Sequence, residues 1–144
     1  MTQEEKDLLL KELCARLPYG VKVATPKGDG FLCSINQTIF GTEYGVNIST
    51  VQRDYFNDKE IEIKPYLRPM SSMTKEEFDE YEIANEMDTA ESSKAIRKNL
   101  HGEKYISSWH HGVDWLNAHH FDYRGLIEKG PALKAKDGMY NKNS

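Results

Sequence analysis

The spacing of apolar residues changes from helical to alternating near residue 20, and this change constrains the fold most strongly. Between residues 21 and 63, apolar side chains recur at every second position, which is typical of half-buried strands. The alternating groups are Val21 and Val23, then Phe31, Cys33 and Ile35, then Tyr44, Val46 and Ile48, and finally Ile61 and Ile63. Proline and two glycines predict a hairpin loop over residues 25–30. We expect about four or five short strands, forming a small antiparallel sheet or an SH3-like barrel.

A helix is predicted before the strands. Thr2 and Glu5 form a capping box, in which the threonine hydroxyl accepts a hydrogen bond from a first-turn amide. Apolar residues then follow the i, i+3, i+4, i+7 spacing of one helical face, at Leu10, Leu13, Cys14 and Leu17. Because Pro18 disfavours a helical conformation at the residue before it, the first helix is predicted over residues 3–16.

The C-terminal half is predicted to be helical. Two prolines are expected to take the segment 64–70 out of the sheet, since proline cannot donate a ladder hydrogen bond. A second capping box at Thr74 starts a second helix, and a short basic helix is expected within 89–104. A third helix is predicted over 107–119.

The last short helix is predicted over 123–129, with Asp122 placed to cap it. The fold class is therefore α+β, with an N-terminal helix, a small antiparallel sheet or SH3-like barrel, and a helical C-terminal half. We expect a helix-plus-sheet unit over 1–70, an acidic and then basic helical connector over 71–104, and a helical corner with a tail over 105–144. The first and third parts are expected to pack as one compact unit.

Composition narrows the class of protein. The 144 residues are 38 % hydrophobic and carry a formal charge of -4, which argues against a dedicated nucleic-acid-binding protein. The apolar runs are too short to cross a membrane, and the first residues lack the apolar segment of a signal peptide, so we expect a cytoplasmic protein. The two cysteines, Cys14 and Cys33, are expected to be reduced and buried, without zinc-site spacing. No cofactor is indicated.

The segment WHHGVDWLNAHHFDYRG, residues 109–125, holds four of the five histidines and allows two interpretations. His110 and Asp114 lie four residues apart on one helical face, so with His119 they could ligate a metal in a metal-dependent enzyme. The alternative, which we favour, is a packed helical corner. In it Trp109, Val113 and Leu116 face the core, and His119 lies at a helix C-terminus, where the helix dipole favours its charged ring.

Aromatic and arginine residues favour a non-enzymatic role in protein–protein contacts, because these residue types dominate interface energetics. The candidate binding residues are Tyr66, Arg68, Trp115, His119, Tyr123 and Arg124. Tyr66 and Arg68 lie in the proline-flanked segment and are expected to be exposed, although Tyr66 could instead close one end of the sheet. The expected partner is a protein. Association with nucleic acid through Lys94, Arg97 and Lys98 is an unfavoured alternative.

Three stretches resemble a family of small uncharacterised proteins of gut anaerobic bacteria, often encoded in prophages or other mobile elements. They are LCARLPYGVKV (13–23), IKPYLRPMSSMTKEE (63–77), and DWLNAHHFDYRGLIEKG (114–130) with GMY (138–140). The resemblance covers both ends of the chain and leaves out roughly 78–112. It implies a phage or mobile-element accessory protein, and it brings no known activity, cofactor or catalytic residue.

Overall fold

The first helix, α1, spans Gln3–Arg16, as the sequence predicts. The backbone N–H of Glu5 donates to the Thr2 hydroxyl at 3.1 Å, so the predicted capping box forms. A computed structural model describes the chain at residues 2–60, 62–84 and 111–140.

Six strands form one mixed sheet. The strands are β1 (Lys22–Thr25), β2 (Gly28–Thr38), β3 (Gly41–Asn47), β4 (Arg53–Asn57), β5 (Lys64–Leu67) and β6 (Leu133–Lys134). Their order is β4-β3-β2-β1-β5-β6, with antiparallel pairing except between β5 and β6. This arrangement confirms the α+β class. The sheet is open at β4 and β6, so the SH3-like barrel is not confirmed.

The prediction that segment 64–70 leaves the sheet is wrong. Residues 64–67 form β5, which pairs with β1 at two positions, one of them Val23 with Pro65. Pro65 lies near the start of β5, and β6 pairs only with the two residues after it, so at this position the strand has a neighbour on one side only, where proline is tolerated. On its other side β5 pairs with Leu133 and the residue after it, so the C-terminal segment is not a free tail.

A β-bulge in β2 reverses the predicted facing of several side chains. The pairing of β2 with β3 shifts between Leu32 and Ser34, with Cys33 as the extra residue. Leu32 is buried at 3 % exposure, whereas Phe31, expected to face the core, is 47 % exposed. Ile35 does pack against the core, because the bulge restores the alternation after it.

The core lies between α1 and one face of the sheet. Leu9 and Leu13 of α1 pack there with apolar residues of the strands, among them Val23, Val46 and Phe56. This burial supplies the hydrophobic stabilisation of the domain. The predicted burial of both cysteines is wrong for Cys14, which is exposed at the edge of the helical face.

Three further helices are present in the described residues. Residues 75–84 are helical (α2), followed in sequence by α3 (His111–Ala118) and α4 (Leu126–Lys129). The basic helix expected within 89–104, the start of the third predicted helix and Trp109 lie outside the described residues. None of the described helices has the length and apolar character that a membrane crossing requires.

Two expectations for the C-terminal helices need correction. Val113, expected in the core, is 40 % exposed on α3. The last helix begins at Leu126 rather than at residue 123, because Gly125 adopts a left-handed conformation. Asp122 still caps it, since its carboxylate accepts from the N–H groups of Leu126 and Ile127 at 2.8 and 3.0 Å.

Candidate interaction surface

An ion pair between Arg68 and Glu77 joins the end of β5 to the start of α2. The guanidinium donates two parallel hydrogen bonds to the carboxylate, at 2.7 and 2.6 Å. These bonds are the main reason that the pKa of Glu77 is lowered to about 2, and bonds from Thr74 add to the effect. Both partners are therefore ionised at neutral pH, and neither carries a free charge for a ligand.

Four aromatic side chains continue from this ion pair. The Arg68 guanidinium lies 4.1 Å from the centre of the Phe121 ring, a cation–π contact. Trp115 stacks on Phe121 at 5.7 Å and on His119 at 4.0 Å between ring centres. Tyr81 of α2 contacts the same tryptophan at 5.8 Å. The structure thus brings together three predicted binding residues, Arg68, Trp115 and His119.

His119 has a defined tautomer in its neutral form. Its Nδ1 lies 2.9 Å from the backbone carbonyl of Trp115. A carbonyl can only accept a hydrogen bond, so Nδ1 carries the proton and Nε2 holds the lone pair. His119 is half-buried and lines a cleft. Its Nε2 can accept a hydrogen bond from a group in this cleft.

The metal alternative gains little from the described residues. Asp114 is exposed on α3, and His110 lies outside the described part of the chain. Within the described ranges, no three His, Cys, Asp or Glu side chains are placed to hold one ion. The proposed ligand set of His110, Asp114 and His119 therefore stays a prediction.

His120 is the most perturbed residue of the corner. It adopts a left-handed backbone with φ 61° and is 5 % exposed, with its ring stacked on Tyr140 at 4.0 Å. Burial, and then the positive charge of Arg16, lower its pKa to about 3. The ring is neutral at physiological pH, and its Nδ1 has no hydrogen-bond partner in the described structure.

Tyr140 fastens the C-terminal segment to the sheet. Its hydroxyl accepts from the backbone N–H of Lys22 at 2.8 Å and donates to the carbonyl of Tyr66 at 2.7 Å. Tyr66, expected to be exposed, is 7 % exposed, and its own hydroxyl donates to Asp29. The second interpretation of Tyr66, that it closes one end of the sheet, agrees with this burial, and the Lys136 ammonium lies 5.3 Å from the centre of its ring.

Tyr123 and Arg124 make a different set of contacts. The Tyr123 hydroxyl donates to the side chain of Asn117 at 3.0 Å. Arg124 pairs with Glu12 of α1 at 3.1 Å. These two candidates therefore help to hold the corner against α1 and do not join Arg68 and His119.

Two adjoining clefts open at the corner. The larger, about 630 Å³, and the smaller, about 490 Å³, share five lining residues, namely Arg68, Glu77, Gly138, Met139 and Tyr140. The smaller cleft also reaches His119, His120, Tyr19 and Phe31. We call this smaller cleft the corner cleft.

Phe31 borders a second concavity that sequence reasoning missed. A groove of about 570 Å³ runs from this ring along the residues 47–53. The Lys22 ammonium lies 5.0 Å above the ring, and Arg53 borders the groove. We define Phe31, Lys22, Arg53 and the exposed Tyr19 as the Phe31 surface. The one sequence feature that bears on this position of Phe31 is the run of three apolar residues at 31–33, and such a run is compatible with Phe31 on either face of the strand.

No protein-family model, curated protein or solved structure matches this chain. The resemblance to proteins of gut anaerobes therefore depends on the three sequence stretches and stays a prediction. Any statement about function must come from the chemistry of the surfaces described above.

Proposed function

We propose that this protein is a non-enzymatic accessory module that binds another protein through the Phe31 surface. The proposal depends on one observation: Phe31 is 47 % exposed in the middle of a sheet, between the corner cleft and the groove along 47–53. A large apolar ring flanked by two concavities is the kind of feature that serves as an interface anchor. The prophage or mobile-element setting suggested by the sequence resemblance is compatible with such a role.

The chemistry around the ring favours a protein partner. Burying the exposed part of a phenylalanine contributes on the order of 1 kcal/mol at the usual value per unit area, and a well-packed anchor contributes more. Lys22 and Arg53 add positive charge to a surface of a chain whose formal charge is -4. A partner with an apolar protrusion and acidic flanks would complement both features.

The charged and histidine side chains of the corner hold neighbouring elements of the fold in place and are not arranged for catalysis. Arg68 and Glu77 neutralise each other, and His120 is buried and uncharged. Among the described residues, His119 is the side chain at the corner that could act as a general base, but no nucleophile of the described part of the chain lies next to it. The corner cleft therefore serves, in this proposal, as a recess beside the Phe31 anchor.

A matched pair of variants tests the proposal. Phe31→Ala and Phe78→Ala remove the same side chain at nearly equal exposure, 47 % and 48 %, from β2 and from α2. Tagged protein is used to capture partners from extracts of cells that encode it, with quantitative mass spectrometry. We expect one partner to be retained by Phe78→Ala and reduced at least about tenfold by Phe31→Ala, the effect of a modest hot spot.

A partner that binds both variants equally contradicts this assignment of the surface. Arg68→Ala in the same experiment tests the residue suggested by the sequence. Because Arg68 is bound to Glu77 and lies over Phe121, this change should act through stability, which thermal unfolding measures separately.

A further inference from the structure

Strand β4 ends the sheet and carries unused backbone groups along its outer edge. The N–H of Asp58 donates to Thr42 at 2.9 Å, and the N–H of Ile48 donates to the carbonyl of Gln52 at 3.0 Å. Since hydrogen-bonded pairs alternate along an antiparallel ladder, the even-numbered residues from 52 to 58 point their backbone groups at β3. The odd-numbered residues Arg53, Tyr55 and Asn57 point theirs away from the sheet.

These outward groups have no partner strand in the described structure. Arg53 and Tyr55 each present a free N–H and a free carbonyl. Asn57 presents its N–H, while its carbonyl accepts a turn hydrogen bond from Glu60. An unpaired edge of this kind is a template for another strand.

We propose that two copies of this chain associate through antiparallel pairing of β4 with β4, on a twofold axis at Tyr55. In this register the two Tyr55 residues exchange a pair of backbone hydrogen bonds. The N–H of Asn57 in each copy donates to the carbonyl of Arg53 in the other. Every donor that is free on the edge is then used, except the N–H of Arg53. The turns after residue 57 and before residue 53 limit the pairing to these five positions.

Charge complementarity across the axis favours a second copy as the occupant. On the outer face of the sheet, Arg53 lies beside Asn47 and Glu43 lies beside Asn57. The twofold axis therefore places Arg53 of one copy opposite Asn57 of the other, with Glu43 of that copy one strand further. Two strand spacings are about 10 Å between backbones, which an arginine and a glutamate side chain can bridge.

Neither of these charges has an ionic partner within its own chain among the described residues. The Nε of Arg53 donates to the Asn47 side chain at 3.0 Å, and the guanidinium also has hydrogen bonds to the side chains of Tyr55 and Cys33, none of which is an acidic residue. Glu43 and Asn47 are four residues apart on β3, about 13 Å, so Arg53 and Glu43 do not pair inside one copy. The association therefore provides each charge with its complement.

Tyr55 is the central side chain of the interface. It is 54 % exposed on the outer face and its ring lies against Gly45, where a Cβ would approach Tyr55 Cε1 to 3.2 Å. On the twofold axis it becomes a cross-strand aromatic pair with its own copy, and such pairs stabilise antiparallel ladders. This interface leaves Phe31 on β2 and Lys22 on β1 free for the partner of the proposed function, whereas Arg53 is used by the dimer.

Sedimentation velocity of the full chain over a range of concentrations tests the proposal. We expect a monomer–dimer equilibrium. Tyr55→Pro deletes one outward N–H per copy without touching the bonds to β3, and it should raise the dimer dissociation constant about thirtyfold. Far-ultraviolet circular dichroism verifies that the variant keeps its fold. Phe31→Ala should leave dimerisation unchanged, which separates this proposal from the proposed function.

Charge reversal tests the register. Arg53→Glu should weaken the dimer by at least about tenfold, because it faces Glu43 of the other copy, and adding Glu43→Arg should restore it. A chain that is monomeric at every concentration overturns the proposal, whether or not the edge binds a different protein. A dimer that Tyr55→Pro leaves intact, or that the double reversal fails to restore, overturns the β4 pairing.

Discussion

Lowering the pH from 8 to 5 should destabilise this protein through a single buried histidine, His120. Its side chain is 5 % exposed, and its pKa falls from 6.5 to about 3 in the folded protein, chiefly because burial disfavours the charged ring. Below pH 6.5 the unfolded chain binds a proton at this residue and the folded chain does not. Stability therefore falls as the pH drops below 6.5, and the loss continues to about pH 3.

The size of the effect follows from the two pKa values of His120. At pH 5 the loss in the free energy of unfolding is RT ln(1 + 10^1.5), or about 2 kcal/mol, and at pH 3 it reaches about 4 kcal/mol. Glu77 contributes in the same direction, because its lowered pKa also favours folding at neutral pH. Its contribution is lost only as the pH falls from 4.5 towards 2, so Glu77 adds little between pH 8 and 5.

Urea unfolding, followed by circular dichroism at several pH values between 8 and 5, measures the loss. His120→Asn removes the titrating ring and keeps a residue type that tolerates the φ of 61° at this position. The variant should be less stable at pH 8, since it loses the stacking on Tyr140, but it should lose about 2 kcal/mol less on acidification. Phe78→Ala, which removes an exposed ring from α2, is the control and should retain the full pH dependence. An equal loss in wild type and His120→Asn refutes the reasoning.

Three further changes should be visible in urea unfolding. Glu77→Gln removes the charge that pairs with Arg68 and should lower the free energy of unfolding by about 1.5–3 kcal/mol at pH 7. The variant should also lack the loss of stability that the wild type shows between pH 4.5 and 2, and a variant that keeps this loss contradicts the pairing. Tyr140→Phe deletes a hydroxyl bound to two backbone groups and should cost about 1–3 kcal/mol; no measurable change would mean that the C-terminal segment is held elsewhere. Asp122→Ala removes the cap of α4 and should cost about 1 kcal/mol, whereas Asp122→Asn should cost less; equal losses would show that the capping bonds are unimportant.

The elements that the sequence predicted well are those decided by near neighbours. The capping box at Thr2 and the spacing of Leu10 and Leu13 involve residues within one or two turns, and α1 has the predicted bounds. The alternating segments at 21–23, 31–35 and 44–48 lie largely within strands β1, β2 and β3 for the same reason, whereas Ile63 of the fourth segment lies just before β5. The bulge at Cys33 depends instead on register with β3, so the facing of Phe31 could not be read from its own strand.

The arrangement of the corner depends on contacts between distant parts of the chain. Arg68 exchanges backbone bonds with His120 and Asp122 at 2.8 Å, across some fifty residues of sequence. The strand that pairs with Tyr66 has only two residues, too few to produce an alternating pattern. Three of the candidate residues chosen from the sequence, Arg68, Trp115 and His119, therefore lie together in the structure. The sequence could not indicate their contacts or the burial of Tyr66.

The corner and the face of the sheet differ in whether their charged side chains already have ionic partners. Arg68 is bound to Glu77, and Glu12 is bound to Arg16 and Arg124, so a ligand at the corner has to compete with bonds that already exist. Breaking such partly or fully buried pairs costs several kcal/mol, because a charge is left without compensation. On the sheet face, by contrast, the exposed Arg53 has no ionic partner among the described residues, so a partner that binds there breaks no ion pair of this residue. Association is therefore less costly on β2–β4 than at the histidine-rich segment that first suggested a site.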